Sequence, residues 1–268
     1  MPELPEVETV VLSLRQRVEH TSIKDLWIGW PGVIDLHSID LFRGVLVGQT
    51  IHRLWRRAKY IIGQLDQGFF TIHLRMTGRL YLDPEPQGHD AWVRLSMHLS
   101  SGDHLVFSDA RKFGRMQWLE SLSALEAKLG PEPLDLRLPE FKARLAHSSR
   151  SIKPWLLDQS NLAGVGNIYA DEALWHARIH PKKAARSISA RGARLLLDSI
   201  KGVLTSAIRH EGSTIGWYRK PDGTAGSNQD QFVVYGRQND PCMRCQRTIT
   251  KIALAQRGTH FCPSCQKL

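Results

Sequence analysis

The chain has 268 residues, 42% hydrophobic and 23% charged, so it is long and apolar enough for two domains with real cores, which excludes a disordered or fibrous protein. Thirty-six Lys and Arg against 26 Asp and Glu leave a formal net charge of +10, which favours a polyanionic partner, nucleic acid first, through counterion release. No apolar run approaches the roughly 18 to 20 residues that span a bilayer, and the N-terminus lacks the basic and apolar regions of a secretory signal, so a cytosolic protein is expected.

Behind Met1-Pro2-Glu3-Leu4, Pro5 suits a first helical position and Glu6 and Glu8 suit the positive helix end. Val7, Val10, Val11, Leu14 and Val18 follow at helical spacing, so an amphipathic helix is expected directly after the N-terminus. From about residue 24 to 118 the pattern is of short strands. Val93, Leu95, Met97 and Leu99 alternate with Trp92, Arg94, Ser96 and His98, and Phe69 to Ile72 and Leu105 to Phe107 are further runs. This half reads as a β-sandwich or barrel. The turn formers Gly130-Pro131-Glu132-Pro133-Leu134-Asp135 mark a boundary, and helices dominate beyond it. Ile152 to Gln159 and Ile168 to Ala177 are helical segments separated by Ser160 to Gly166, and Leu196, Ile200, Val203, Leu204 and Ala207 form an apolar stripe on a third. The expected class is α+β, with a first domain at 1–130, a linker at 131–150, a helical domain at 151–235 and a cysteine-bearing unit at 236–268.

All four cysteines lie in that last unit. Cys242-x2-Cys245, then sixteen residues, then Cys262-x2-Cys265 is the two-knuckle spacing in which four thiolates close a tetrahedral zinc site. A closed tetrahedron leaves no open position, so one structural Zn2+ is expected, supplying fold energy to a hairpin too small for its own core. Between the knuckles lies a basic tip, Gln256-Arg257-Gly258-Thr259, suited to a phosphate, although Arg257 on its own reads first as a solvated charge. Gly164-Val165-Gly166-Asn167 opens a helix where backbone N–H groups favour an anion, although on its own it reads first as a plain inter-helix turn.

Removal of Met1 would leave Pro2 as a free secondary amine beside Glu3. An α-amine titrates near 8 and lysine near 10.4, so at pH 7 roughly a tenth of the former is neutral against less than a thousandth of the latter, which makes it a usable Schiff-base nucleophile. Taken by themselves, Pro2 and Glu3 read first as an ordinary helix start.

Six ordered blocks resemble one family. They are Pro2 to Thr9, Arg57-Ala58-Lys59-Tyr60, His73 to Gly78, Asp109-Ala110-Arg111-Lys112-Phe113-Gly114, Gly164 to Ala170 and the C-terminal cysteine unit, and together they are similar to formamidopyrimidine-DNA glycosylase over essentially the whole chain. The resemblance implies an N-terminal helix and β-sandwich, a helix-two-turns-helix domain, a zinc finger, and double-stranded DNA with oxidised bases or abasic sites as partner, bound by a monomer in a bacterial cytoplasm at the nucleoid. It also implies the site. Pro2 would attack the sugar C1′, Glu3 would protonate the ring oxygen, and β- and δ-elimination would follow, with Lys59 and Arg257 at the phosphates of the two steps. His73 and Asn167 would complete a phosphate clamp, with His89 and Arg150 as further DNA contacts. Met76, Arg111 and Phe113 would fill the gap left by the flipped base. Retention of all three points to oxidised purines opposite cytosine and away from an endonuclease VIII-like pyrimidine glycosylase. Intact Pro2, Glu3, Lys59 and Arg257 argue against a non-catalytic zinc protein that binds damaged DNA. Two departures stand out: Lys112 replaces the usual arginine, and residues 214–231 match poorly the loop that covers the flipped base in the family.

Overall fold

The computed structural model describes all residues except 36–37 and 86–89, so His89 lies outside the described residues. The chain forms two compact units, one of residues 1–125 and 210–227, the other of 126–209 and 228–268.

The first unit begins with α1 (Leu4–Val18), where Pro5 occupies the first turn and Glu3 and Glu6 close a capping box. Its Leu4, Val7, Val10, Val11, Leu14 and Val18 are buried, as the spacing required. Next come β1 (Thr21–Ile28), α2 (Ile39–Leu46), β2 (Thr50–Ile51), β3 (Arg53–Arg57), β4 (Tyr60–Gln64), β5 (Phe69–His73), β6 (Gly78–Asp83), β7 (Val93–Leu99), β8 (His104–Asp109) and β9 (Arg115–Leu119). They make two antiparallel sheets, ordered β2-β1-β7-β8-β6 and β3-β4-β5-β9, so the open choice between sandwich and barrel resolves to a sandwich. One core unites Leu80, Leu95, Met97 and Phe107 of the first sheet with Leu54, Phe70, Ile72 and Met116 of the second and the inner face of α1. Each such side chain contributes about 1.5 to 3 kcal/mol on burial.

Residues 210–227 belong to this same unit, although the sequence places them in the helical domain. Tyr218 joins the sandwich core, and the neck of the segment is closed by Ser227 N–H on His210 O (2.9 Å) and Gly226 N–H on Thr214 Oγ1 (2.9 Å).

A short turn of helix, α3 (Ser123–Glu126), precedes the second unit. There α4 (Leu138–Ala146) occupies the stretch expected as a linker. Pro139 sits in its first turn, and Phe141 and Leu145, one helical turn apart, are buried, with Phe141 edge-on to Trp155 at 5.8 Å. The expected helices follow as α5 (Ile152–Leu157), α6 (Asn167–His176) and α7 (Ala190–Arg209), and β10 (Thr250–Leu254) pairs with β11 (Arg257–Phe261) as the hairpin between the knuckles. Among the described residues no helix is long and apolar enough to cross a membrane.

The two-residue turn of that hairpin holds Ala255 at φ +47° and Gln256 at φ +60°, the left-handed pair that Asn-Gly adopts without strain. Because finger folding and zinc binding are one equilibrium, the A255N/Q256G variant is expected to hold zinc about fivefold more tightly, about 1 kcal/mol, in a chelator competition. Unchanged affinity would mean that the turn is not strained.

Candidate active site

An N-terminus normally frays, yet here Pro2 and Glu3 are buried, and only Met1 ahead of them is exposed. The Glu3 N–H donates to Glu6 Oε2 at 2.8 Å, and the other oxygen of Glu6 accepts the N–H of Ser213 at 2.8 Å. Glu6 therefore ties the helix start to the 210–227 segment. Gly212, at φ +80°, lies so close that a Cβ there would come within 3.0 Å of Glu6 Cγ. Burial and then the Glu6 charge raise Tyr218, keeping its hydroxyl protonated and able to donate to Glu6 O.

Lys59 stands in the two-residue turn between β3 and β4, closed by the Arg57–Tyr60 pair, after Ala58 in the left-handed region at φ +54°. Arg56 braces this turn, donating from Nη1 to Ala58 O (3.1 Å) and from Nε to Glu8 of α1 (2.7 Å). One turn of α1 is thereby tied to the lysine's hairpin. The lysine itself is buried, and Tyr60 beside it packs edge-on against His73 at 4.7 Å.

His73 is strongly perturbed. Burial, then the charges of Arg75 and Lys59, push it down to about 3, and the Arg75 N–H donates to its Nδ1 at 3.0 Å. The ring is thus neutral at ordinary pH, with its proton on Nε2, a donor suited to an anion. In the unfolded chain histidine titrates near 6.5, so protons favour unfolding between that value and 3. Stability from this group is full above pH 6.5 and falls as pH drops below it, by up to about 1.4 kcal/mol per unit. Denaturant unfolding across pH 6.5 to 4 is expected to be less steep in acid for His73→Gln by about one proton; parallel profiles would contradict the neutral state.

The three residues expected to enter the DNA are presented outward. Met76 and Phe113 are 42% and 47% exposed, unusual for large apolar side chains, and the Arg111 guanidinium lies 4.7 Å over the Phe113 ring. Left-handed non-glycine residues, Arg75 (φ +54°) and Lys112 (φ +60°), flank Met76 and Phe113, so backbone strain is held at both tips. Trp217, on the segment whose sequence gave no clear reading, is exposed and edge-on to Trp92 at 5.3 Å.

In the second unit the sulfurs of Cys242, Cys245, Cys262 and Cys265 lie within 4.8 Å of one another, close to the roughly 3.8 Å edge of a zinc–thiolate tetrahedron with 2.3 Å bonds. They hold one structural zinc ion. Burial works against the Cys242 thiolate, but the Arg244 backbone N–H and the Trp175 indole N–H, 3.4 Å from its sulfur, bring it down to about 6. Arg244 in turn stacks 3.8 Å over Trp175.

The finger is docked by groups that the sequence did not single out. Lys153 Nζ meets Asp171 Oδ1 at 2.7 Å with both side chains fully buried, and donates to Gly258 O (2.8 Å) and Thr259 Oγ1 (2.9 Å). The other oxygen of Asp171 accepts the His260 N–H at 2.9 Å. Asn167, the first residue of α6, donates from Nδ2 to the same Gly258 carbonyl at 3.1 Å, so the expected phosphate ligand Asn167 and the exposed Arg257 share one anchored tip. Arg150, expected at the DNA, is paired with Asp158 at 2.7 Å.

Three family models match the chain: the formamidopyrimidine-DNA glycosylase N-terminal domain over residues 1–116, the H2TH domain of the same glycosylase over 129–218, and the zinc finger found in FPG and IleRS over 239–268. The formamidopyrimidine-DNA glycosylase of Herpetosiphon aurantiacus is 45% identical, covering 99% of this chain and all of its own. Among solved structures, Lactococcus lactis Fpg in complex with DNA containing an abasic site is 37% identical, with a TM-score of 0.92 over 99% of this chain and 100% of that one. MutM in complex with DNA containing carbocyclic 8-oxo-G is 37% identical, with a TM-score of 0.91 and full coverage of both chains.

Proposed function

The chain belongs to the formamidopyrimidine-DNA glycosylase family and is a DNA glycosylase of base excision repair, and we propose that it releases 8-oxoguanine and formamidopyrimidines and then cuts the strand at the resulting abasic site. The observation that carries this reading is that Pro2 and Glu3, at a chain end that would ordinarily fray, are buried and held at the start of α1.

With Met1 removed, the Pro2 nitrogen attacks C1′ and displaces the damaged base, while Glu3 protonates the ring oxygen as the sugar opens. The resulting iminium acidifies C2′. Loss of that proton expels the 3′ phosphate, and a second elimination expels the 5′ phosphate. Lys59 and neutral His73 are the phosphate contacts of the first unit, and Asn167 and Arg257 those of the second, where the zinc keeps the finger folded. Met76, Arg111 and Phe113 fill the vacated stack, and Arg111 donates to the exposed acceptors of the opposite cytosine, whereas adenine meets it with a donor. The protein acts as a monomer on double-stranded DNA in the bacterial cytoplasm, at the nucleoid.

Borohydride trapping on a duplex with an abasic site tests the chemistry, because it reduces an enzyme–sugar imine to a stable adduct and a non-catalytic binder forms none. Pro2→Gly, which replaces the secondary amine, is expected to slow trapping roughly tenfold or more, with DNA affinity retained. Wild-type trapping rates in that variant would remove Pro2 from this role.

A further inference from the structure

Asp109, the last residue of β8, is almost fully buried, and its carboxylate gathers donors from two separate stretches of chain. Oδ1 accepts the Thr77 hydroxyl in a short hydrogen bond and the Arg111 backbone N–H at 3.2 Å, while Oδ2 accepts the Gly114 N–H at 2.7 Å. The Thr77 oxygen accepts that same Arg111 N–H at 3.2 Å. The loop from 109 to 114 is thus closed on one carboxylate, and so is the turn that ends at Thr77. A Cβ at position 114 would come within 2.4 Å of the Phe107 ring and 3.2 Å of Asp109 Oδ2, so only glycine lets the backbone reach the carboxylate. Met76 adjoins Thr77, and Arg111 and Phe113 lie inside the closed loop.

We propose that Asp109 is the positioning residue of the DNA-filling group: its carboxylate fastens the turn bearing Met76 to the loop bearing Arg111 and Phe113, and thereby sets discrimination of the opposite base. This rests on the void-filling role proposed above. Gly78 also pairs with Asp109 where β6 meets β8, but among the described side chains the Asp109 carboxylate and the Thr77 hydroxyl bound to it are what reach the Arg111 N–H. An asparagine cannot reproduce the arrangement. With the amide oxygen toward Gly114 its NH2 faces the Arg111 N–H, and with the oxygen toward Arg111 its NH2 faces the Gly114 N–H, so one backbone donor always meets a donor.

The test compares single-turnover excision of 8-oxoguanine opposite cytosine and opposite adenine with cleavage of a preformed abasic site in the same duplexes. Asp109→Asn and Thr77→Val are each expected to reduce the cytosine-over-adenine preference about fivefold or more while changing abasic-site cleavage less than about threefold, and Thr77→Ser to keep wild-type values. A merely structural role would lower all rates together and leave the preference unchanged. If Asp109→Asn does not fold, Thr77→Val decides by itself, since it removes a single hydroxyl. Arg111→Ala separates the two levels of the argument. Preference lost in Arg111→Ala but kept in Asp109→Asn and Thr77→Val overturns the assignment of Asp109 alone; preference kept in all three overturns the void-filling role with it.

Discussion

Glu3→Gln is expected to slow excision of 8-oxoguanine by about 10²- to 10⁴-fold, the range for loss of a positioned general acid, while trapping at a preformed abasic site falls far less. The structure makes this a clean substitution. Glu3 is 2% exposed, and its side chain caps the Glu6 N–H at the start of α1, which a glutamine oxygen of the same shape still accepts. What disappears is the proton. An intact sugar needs that proton at its ring oxygen, whereas an abasic site already samples the open aldehyde. Single-turnover rates on the two substrates give the comparison, and an equal loss on both would reject the division of labour between Pro2 and Glu3.

Lys153→Met is expected to cost about 3 to 5 kcal/mol of stability, because it leaves the carboxylate of Asp171 buried without its cation. The double variant Lys153→Met with Asp171→Asn removes both charges, and the amide oxygen can still accept the His260 N–H, so it is expected to recover to within about 2 kcal/mol of the parent. Denaturant unfolding of the second unit measures both. DNA affinity should follow stability, since Lys153 holds Gly258 and Thr259 directly beside Arg257. A single variant within about 1 kcal/mol of the parent would show that water or relaxation already compensates Asp171.

Local patterns were legible in the sequence and long-range polar partnerships were not. Helix α1 and the strands of the sandwich follow from residue spacing, and the four cysteines announce their zinc, because each signal lies within a few residues. Helix α4 carried the same kind of signal, Pro139 followed by Phe141 and Leu145, but the adjoining turn formers masked it. Asp171 and Glu172 look like surface charges, yet α6 is buried along almost its whole length and both are nearly inaccessible. One takes Lys153, the other the N–H groups of Val233, Val234 and Tyr235. Acids on an otherwise apolar helix were the readable hint. Arg150 shows the converse: a basic residue at a suggestive position, paired with Asp158, 8 residues on.

The bond between Glu6 and Ser213 joins residues 207 apart in sequence. During synthesis at about 5 to 20 residues per second, the start of α1 leaves the ribosome about 10 to 40 s before its partner is made. Until then Glu6 has no Ser213 N–H to accept, and the core lacks Tyr218. The Pro2–Glu3 end is thus first to be translated and among the last to be completed, so a nascent or truncated chain carries the proposed nucleophile and acid without the surroundings that order them.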